Sequence, residues 1–482
     1  MPAERPAEPL ARSGPAPRVG VVHLGLGAFF RAHGAVYLAE AMAATGGDWG
    51  VLGVSLVRPD MRDALAPQGG VYTALELGPD GETARRVESV VGVLVAREDP
   101  AAVLEAMADP AVRIVTLTVT EKGYRHEPAT GALDLGHPDI AHDVAECLPV
   151  SAPGFLVRAL QRRRAAGVAP FTVLCCDNLP ENGRVVRGVT LALARRIDPA
   201  LADWIAAEGR FPCSMVDRIV PATTPATIAR VAELTGRADA APVQHEPFRQ
   251  WVVEDDFVGG ARPELAAAGA ELVADVAPYE GMKLRMLNGA HSALAYLGYL
   301  SGRETVADAM ADPVLAAFVR RLWRDEIIPV VAAPPGVDLS AYADALARRF
   351  ANPAIRHRTW QIAMDGSQKL PQRLLASLDL NLGAGRPAPG LALAVAAWMR
   401  YVAGVDEAGG PIDVRDPMAA RLRALSDAAE GPQAKAAALL SVAEIFPPAL
   451  ARRLAEPVGA ACARLAEVGA RRAAADLTET AP

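Results

Sequence analysis

Strand and helix signals alternate over about the first 280 residues of this chain, and then the strand signals stop. Short apolar runs recur at 18–24 (RVGVVHL), 49–57 (WGVLGVSLV), 113–119 (RIVTLTV) and 171–176 (FTVLCC), with helical stretches at 31–45, 101–107, 154–166 and 185–196 between or after them. Continuous apolar runs of that length suit strands buried on both faces. Residues 71–77 and 83–95 read as strands of a meander, and 245–257 and 272–276 as the last strands. Helices alone are read at 307–310, 314–331, 340–350, 391–402, 417–429, 433–443 and 449–468. The pattern predicts an α/β domain over 18–280 followed by an all-α domain over 281–482, behind a Pro-rich disordered arm at 1–17.

The first run leads into Gly25-Leu26-Gly27-Ala28-Phe29-Phe30 and then a helix. Strand, glycine turn and helix is the arrangement that sets a dinucleotide's pyrophosphate on a helix N-terminus. Gly25, Gly27, Phe30 and Arg31 are the candidate contacts. The turn reads GxGxxF, so the third glycine that permits close helix–strand packing is replaced. An acid for the ribose is expected after the second strand, and Asp60 is the nearest. Arg58 and Arg62 flank it and could take a 2′-phosphate instead; the reading adopted is NAD. Thr118 and Thr120 end the third run, where open α/β sheets bind ligands, although 120–124 (TEKGY) also reads as an ordinary turn. Asn178 stands just past the fourth run. Asp217 and Arg218 lie in an apolar frame and could simply pair with each other.

Residues 278–300 (PYEGMKLRMLNGAHSALAYLGYL) read as one long apolar helix at the domain junction, where a cleft would lie. It carries Glu280, Lys283, Asn288 and His291, polar groups that are costly to bury without partners. At about 100° per residue, Asn288 lies about 140° round from Lys283 and His291 about 80°. A core helix hydrogen-bonded to its neighbours accounts for any one of these residues; all four together suggest a site. Residues 356–373 gather five basic residues around DGSQK. They form either a solvated helix-turn-helix or a lid presenting cations to an anionic ligand group.

A net charge of −7 with dispersed basic residues argues against a nucleic-acid partner. The one basic run, Arg162 to Arg164, reads as a solvated helix face. No uncharged run of about twenty apolar residues marks a membrane span, and the N-terminus has no apolar signal core. Five cysteines without CxxC spacing suit a reduced cytoplasmic protein, and no zinc spacing is found. Oligomeric state is not legible.

The stretches HLGLGAFFRAH, TVTEKGY, CDNLPENG, FPCSMVDRIVPAT, EPFRQWVVEDDF, PYEGMKLRMLNGAHSALAYLGYL and HRTWQIAMDGSQKLPQR span nearly the whole chain. Together they resemble the polyol-specific long-chain dehydrogenases. LTVTEKGY, HRTWQIAMDGSQKLPQR and WMRYVAGVDEAG are most similar to that family's fructuronate reductase (mannonate oxidoreductase) branch. The resemblance implies an N-terminal Rossmann-type domain, a helical C-terminal domain, a nicotinamide cofactor and no catalytic metal. It implies Lys283 as general acid/base, with Asn178 and Asn288 holding the reacting oxygen. It also implies His291 on the substrate, Glu280 as proton-relay partner, and Asp217 and Lys369 as further substrate contacts. Mannitol-oxidising members tend to have an arginine where Gln361 stands here. A uronate carboxylate needs a cation, and the candidates are Lys369, Arg373, Arg358 and Lys122. The expected reaction is reduction of fructuronate to mannonate with NADH. The alternative is a neutral polyol dehydrogenase acting on mannitol or arabinitol.

Overall fold

The computed structural model describes residues 7–127 and 130–479. The chain divides into two compact units, Met1–Ala277 and Pro278–Pro482.

The first unit is built on a five-stranded sheet in the order Val90–Val95, Gly50–Ser55, Val19–Leu24, Ile114–Leu117, Thr172–Cys175. All four pairings are parallel, with Val22 opposite both Leu52 and Val115, and Val115 opposite Val173. Alternate residues feed two separate cores. Val22, Leu24, Val115, Leu117 and Val173 pack with Phe155, Leu156 and Leu160. Val21, Val51, Ile114 and Leu174 pack with Phe30, Tyr37 and Trp251. Covering both faces explains why these strands read as unbroken apolar runs. Each large apolar side chain buried this way contributes about 1.5–3 kcal/mol.

Two stretches read as single strands are divided in the structure. In 83–95, Gly81–Val87 pairs antiparallel with Tyr72–Gly78, whereas Val90–Val95 joins the parallel sheet. The crossover between them is pinned by Ser89, whose hydroxyl donates to the Ala35 carbonyl. In 245–257, Val243–His245 extends the hairpin sheet, and Gln250–Glu254 forms a third sheet with Ser214–Asp217 and Glu271–Val273. Pro247, which cannot donate a ladder hydrogen bond, lies between them.

The disordered-arm reading fails for the part of the arm that is described; residues 1–6 lie outside the described residues. Glu8–Pro9 pairs with Arg237–Ala238, and Leu10 is buried. The Arg12 guanidinium donates to the carbonyls of Gly69, Glu88 and Val90. The basic run at 162–164 is solvated only at its ends. Arg163 is buried and donates to the carbonyls of Met107, Asp109, Val112 and Ala169. It thereby satisfies carbonyls left open at the end of the helix Pro100–Ala108.

The second unit is helical, with only isolated bridges among its described residues. Its central helix, Pro389–Val402, is buried on nearly every face and packs on the C-terminal helix Pro448–Glu479. The latter is broken at Gly469 (φ 79°), and Glu407 accepts from the Ala470 N–H at 2.6 Å to start the next turns. The stretch 278–300 is helical throughout but not α-helical throughout. Ala277–Met282 and Ala290–Leu300 are α-helices, and Lys283–Gly289 between them is a π-helix. Two further π segments, Leu322–Ile327 and Pro371–Leu375, pack against it.

Candidate active site

The glycine turn follows the central strand of the parallel sheet, at its carboxyl end. Gly25 has φ 90°, and a Cβ there would lie 2.2 Å from the Thr118 carbonyl oxygen. Only glycine fits this close approach. Gly27 is exposed, a Cβ there would meet only the Gly25 carbonyl oxygen at 3.8 Å, and the helix Ala28–Ala32 begins at the next residue. Beneath the turn His23 is fully buried and stacked on Phe30 at 3.5 Å. Its Nε2 lies 3.2 Å from the Gly25 carbonyl, which can only accept, so the proton sits on Nε2 and Nδ1 accepts from Thr116 Oγ1 at 2.8 Å. Burial pushes the His23 pKa down to about 3, keeping the ring neutral. Thr118 Oγ1 also donates to the Gly25 carbonyl, at 2.9 Å. This cradle at the carboxyl edge of a parallel sheet fits a dinucleotide's pyrophosphate.

Asn178 is exposed, three residues beyond Thr172–Cys175. Its neighbour Asp177 accepts from the Val119 N–H at 2.8 Å, the Thr120 N–H at 3.2 Å and the Tyr124 hydroxyl at 2.5 Å. Thr120 has φ 65°, a strained conformation for a β-branched residue. Three strand ends at the carboxyl edge of the sheet are thus bound together: 118–120 is tied to the glycine turn by Thr118 and to the Asn178 segment by Asp177.

In the second unit the π turn changes the expected geometry. An α-helix would leave Lys283 and Asn288 about 140° apart. In an i→i+5 register, residues five apart stack roughly one turn above each other. Lys283 and Asn288 therefore share a face, and both are buried. His291, on the following α-helix, is buried and stacks on Phe350 at 4.1 Å, with His357 edge-on at 5.4 Å. Burial, then the charges of His357, Arg349 and Arg373, hold its pKa well below the ordinary value. A neutral imidazole can both donate and accept. Burial and Lys369 likewise push His357 down to about 4. Glu280 is half-buried on Ala277–Met282, three residues before Lys283.

The remaining expected contacts fall in varied settings. Phe30 and Arg31 are core groups, because the third and fourth residues of this helix face inward. The Arg31 guanidinium donates to the Ala241 carbonyl and lies over the Tyr72 ring, so neither side chain lines the surface where a dinucleotide would lie. Asp60 is exposed, pairs with Arg58 at 3.4 Å, and opens the helix Asp60–Leu65, five residues past the strand Gly50–Ser55. Asp217 is buried at the end of its strand. Arg218 donates to the carbonyls of Ala32 and Glu246 and lies 3.8 Å from Glu76. Lys122 is exposed. Lys369 donates to the Met364 carbonyl at 2.5 Å and lies 3.9 Å from Asp365; Arg358 is exposed, 3.6 Å from Glu304. Arg373 donates to Ser292 Oγ at 3.3 Å. The segment around DGSQK is anchored: Ser367 bonds Asp416 through both N–H and hydroxyl, and Trp360 donates to the Asp413 carbonyl.

His23, Asp177, Tyr124 and Trp323 were not singled out from the sequence. Their partners lie far off in the chain, and no local pattern marks them. His23 alone left a trace, as a polar residue inside an otherwise apolar strand.

A parallel sheet with a glycine turn at its carboxyl edge has the form of a dinucleotide-binding domain, and the helical unit that follows it in the chain buries Lys283, Asn288 and His291. Residues 19–267 match the mannitol dehydrogenase Rossmann domain and 275–465 the mannitol dehydrogenase C-terminal domain. The chain belongs to the mannitol dehydrogenase family and is an oxidoreductase. It is 48% identical over 465 residues to the D-mannonate oxidoreductase of Escherichia coli (strain K12), covering 95% of each chain. It is 44% identical over 432 residues to the mannitol 2-dehydrogenase of Cereibacter sphaeroides, covering 89% of each. The solved ternary complex of Pseudomonas fluorescens mannitol 2-dehydrogenase with NAD and D-mannitol matches with a TM-score of 0.85 at 37% identity, covering 99% of this chain and 98% of that one.

Proposed function

We propose that this chain uses NAD to interconvert a secondary alcohol and a ketone on an open-chain, six-carbon polyol or sugar acid. The observation that carries the reading is the π turn over Lys283–Gly289, whose i→i+5 register brings the buried Lys283 and Asn288 to the same side of the helix. The glycine turn, with Gly25, Gly27 and the 118–120 edge, would hold the dinucleotide. Bound there, NAD supplies or accepts the hydride.

Reduction of a ketone leaves negative charge on oxygen. Asn288 and Asn178 are assigned as the amide donors to that oxygen, each worth about 3–4 kcal/mol when preorganised. Lys283 as ammonium gives the oxygen its proton; in the oxidative direction the neutral amine takes it, a contribution of about 10²–10⁴ in rate. His291, held neutral, donates to or accepts from a substrate hydroxyl. Glu280 passes the Lys283 proton onward. Lys283→Ala is expected to lower turnover about a hundredfold or more while NADH binding, read by fluorescence, persists. Near-normal turnover would remove the assignment.

For the substrate, a neutral hexitol pair, mannitol and fructose, is supported by the mannitol 2-dehydrogenase relatives. Asp365 and Glu304, lying beside Lys369 and Arg358, also support it, because they offset the cations a carboxylate would use. The second reading, fructuronate and mannonate, is supported by the mannonate oxidoreductase relative and by Gln361, at a position where mannitol-oxidising members tend to have an arginine. NADH-dependent kcat/KM for fructose and fructuronate at neutral pH decides between them. Fructose is expected to lead, and a clear preference for fructuronate would establish the second reading.

A further inference from the structure

We propose that Trp323 is a positioning residue. Its indole N–H, bonded to the Met286 carbonyl, holds Lys283–Gly289 in the π register that puts Lys283 and Asn288 on one face. The inference rests on the roles proposed above for those two residues.

The sequence KLRMLNG does not ask for a π-helix. Lys, Leu, Arg and Met are all strong α-formers, and π turns are rare. The register must therefore come from what surrounds the segment. The Trp323 Nε1–H donates to the Met286 carbonyl oxygen at 2.8 Å, and both residues are fully buried. A side chain inserted into the i→i−4 ladder draws a carbonyl away from its helical partner, a recognised cause of local departure from α geometry. Met286 lies at the middle of the π segment, so the bond acts where the widening is needed.

A second contact acts at the segment's end. A Cβ on Gly289 would stand 2.6 Å from the Arg373 carbonyl oxygen, so the π turn closes against the backbone of Pro371–Leu375. Trp323 reaches the neighbouring polar residue as well. Its ring packs on Phe350 at 5.8 Å, and Phe350 stacks on His291 at 4.1 Å. One indole thus supports Lys283 and Asn288 through a carbonyl and His291 through a ring.

The test is Trp323→Phe in the full chain, which keeps an aromatic ring and removes the N–H. Amide hydrogen exchange over 283–291 should speed up in the variant. kcat for NADH-dependent reduction of fructose and fructuronate should fall at least tenfold with KM little changed, and the pH limb of kcat should move. A filler ring with no positioning role would leave the pH limb in place. Unchanged exchange overturns the register claim, and altered exchange with unchanged kcat and pH limb overturns the positioning role. Should Trp323→Phe fail to fold, Gly289→Ala, which collides with the Arg373 carbonyl, must give the same pair of effects, and its failure to do so also overturns the proposal. Lys283→Ala run in parallel separates the two readings: if it stays active the catalytic assignment falls, while the exchange data still decide the register.

Discussion

Asp177 holds three donors from one stretch that lies more than fifty residues before it in the chain: the N–H groups of Val119 and Thr120 and the Tyr124 hydroxyl. Burial pushes its pKa up, and the Tyr124 hydroxyl and the two N–H groups act against that shift. Asp177→Asn keeps the shape but places an amide donor against groups that already donate. Leaving one of them unsatisfied costs about 1–3 kcal/mol. The expected result is a lower denaturation midpoint, together with a kcat that falls more than NADH affinity does, because Thr120 relaxes from its positive φ and Asn178 shifts with it. A variant as stable and active as the parent would refute the clamp. Asn178, Lys283, Asn288 and His291 are conspicuous in the sequence because polar groups stand out at the ends of apolar runs or inside an apolar helix. Asp177 was passed over because its partners are remote in sequence. Arg31 shows the opposite case: it sits next to a recognisable turn, yet its guanidinium is used up inside the core.

Period alone cannot tell a π turn from an α-helix when the same residues suit both, so 278–300 read as one uniform helix although its register changes at Lys283. Likewise 449–468 read as the final helix, but the chain continues past the break at Gly469. Besides Glu407 at its first N–H, that last stretch is tied back by Asp312. Asp312 pairs with Arg471 at 2.7 Å and Arg303 at 2.8 Å, and accepts from the Val314 N–H at 3.0 Å as N-cap of Pro313–Arg321. Arg471 chiefly, helped by the Val314 N–H and Arg303, brings its pKa down to about 2. A depressed carboxylate stabilises above its unfolded value of about 3.9 and loses that contribution as pH falls toward about 2. Asp312→Asn should therefore speed hydrogen exchange over 470–479 at neutral pH by removing the charge that pairs with Arg303 and Arg471, while asparagine can still cap the helix. Acidifying the parent from pH 4 to 2 should lower the protection factors of the same amides, taken relative to the intrinsic rate at each pH, and protection that persists in both cases would show that the tether is unimportant.

The split into an α/β and an all-α unit was legible because the hydrophobic period changes once and for good near residue 280. What period could not show was that the first unit carries several separate sheets, since a strand's partner is not written in its own residues. Where the sheets of that unit pack, three histidines, His23, His33 and His245, are buried. Burial is the largest cause in each case and pushes each pKa from 6.5 to about 3. Arg218 and Arg249 lower His33 and His245 further, while Asp217 raises His33 and the carbonyl partners raise all three. An unfolded chain binds these protons below pH 6.5 and the folded one does not until about pH 3, so the stabilisation stands above 6.5 and is lost as pH falls. Each histidine should withdraw about 1.4 kcal/mol per pH unit in that window. Urea unfolding followed by the fluorescence of Trp251, which packs against His33, should show a markedly lower midpoint at pH 5.5 than at pH 7.5, before most carboxylates titrate. A His33→Phe variant, still stacked among Phe29, Tyr37 and Trp251, should flatten that slope by one proton's worth. An equal midpoint at the two pH values would mean that these rings take up protons in the folded state, and the dry setting drawn here for His23 beneath the glycine turn would have to be abandoned.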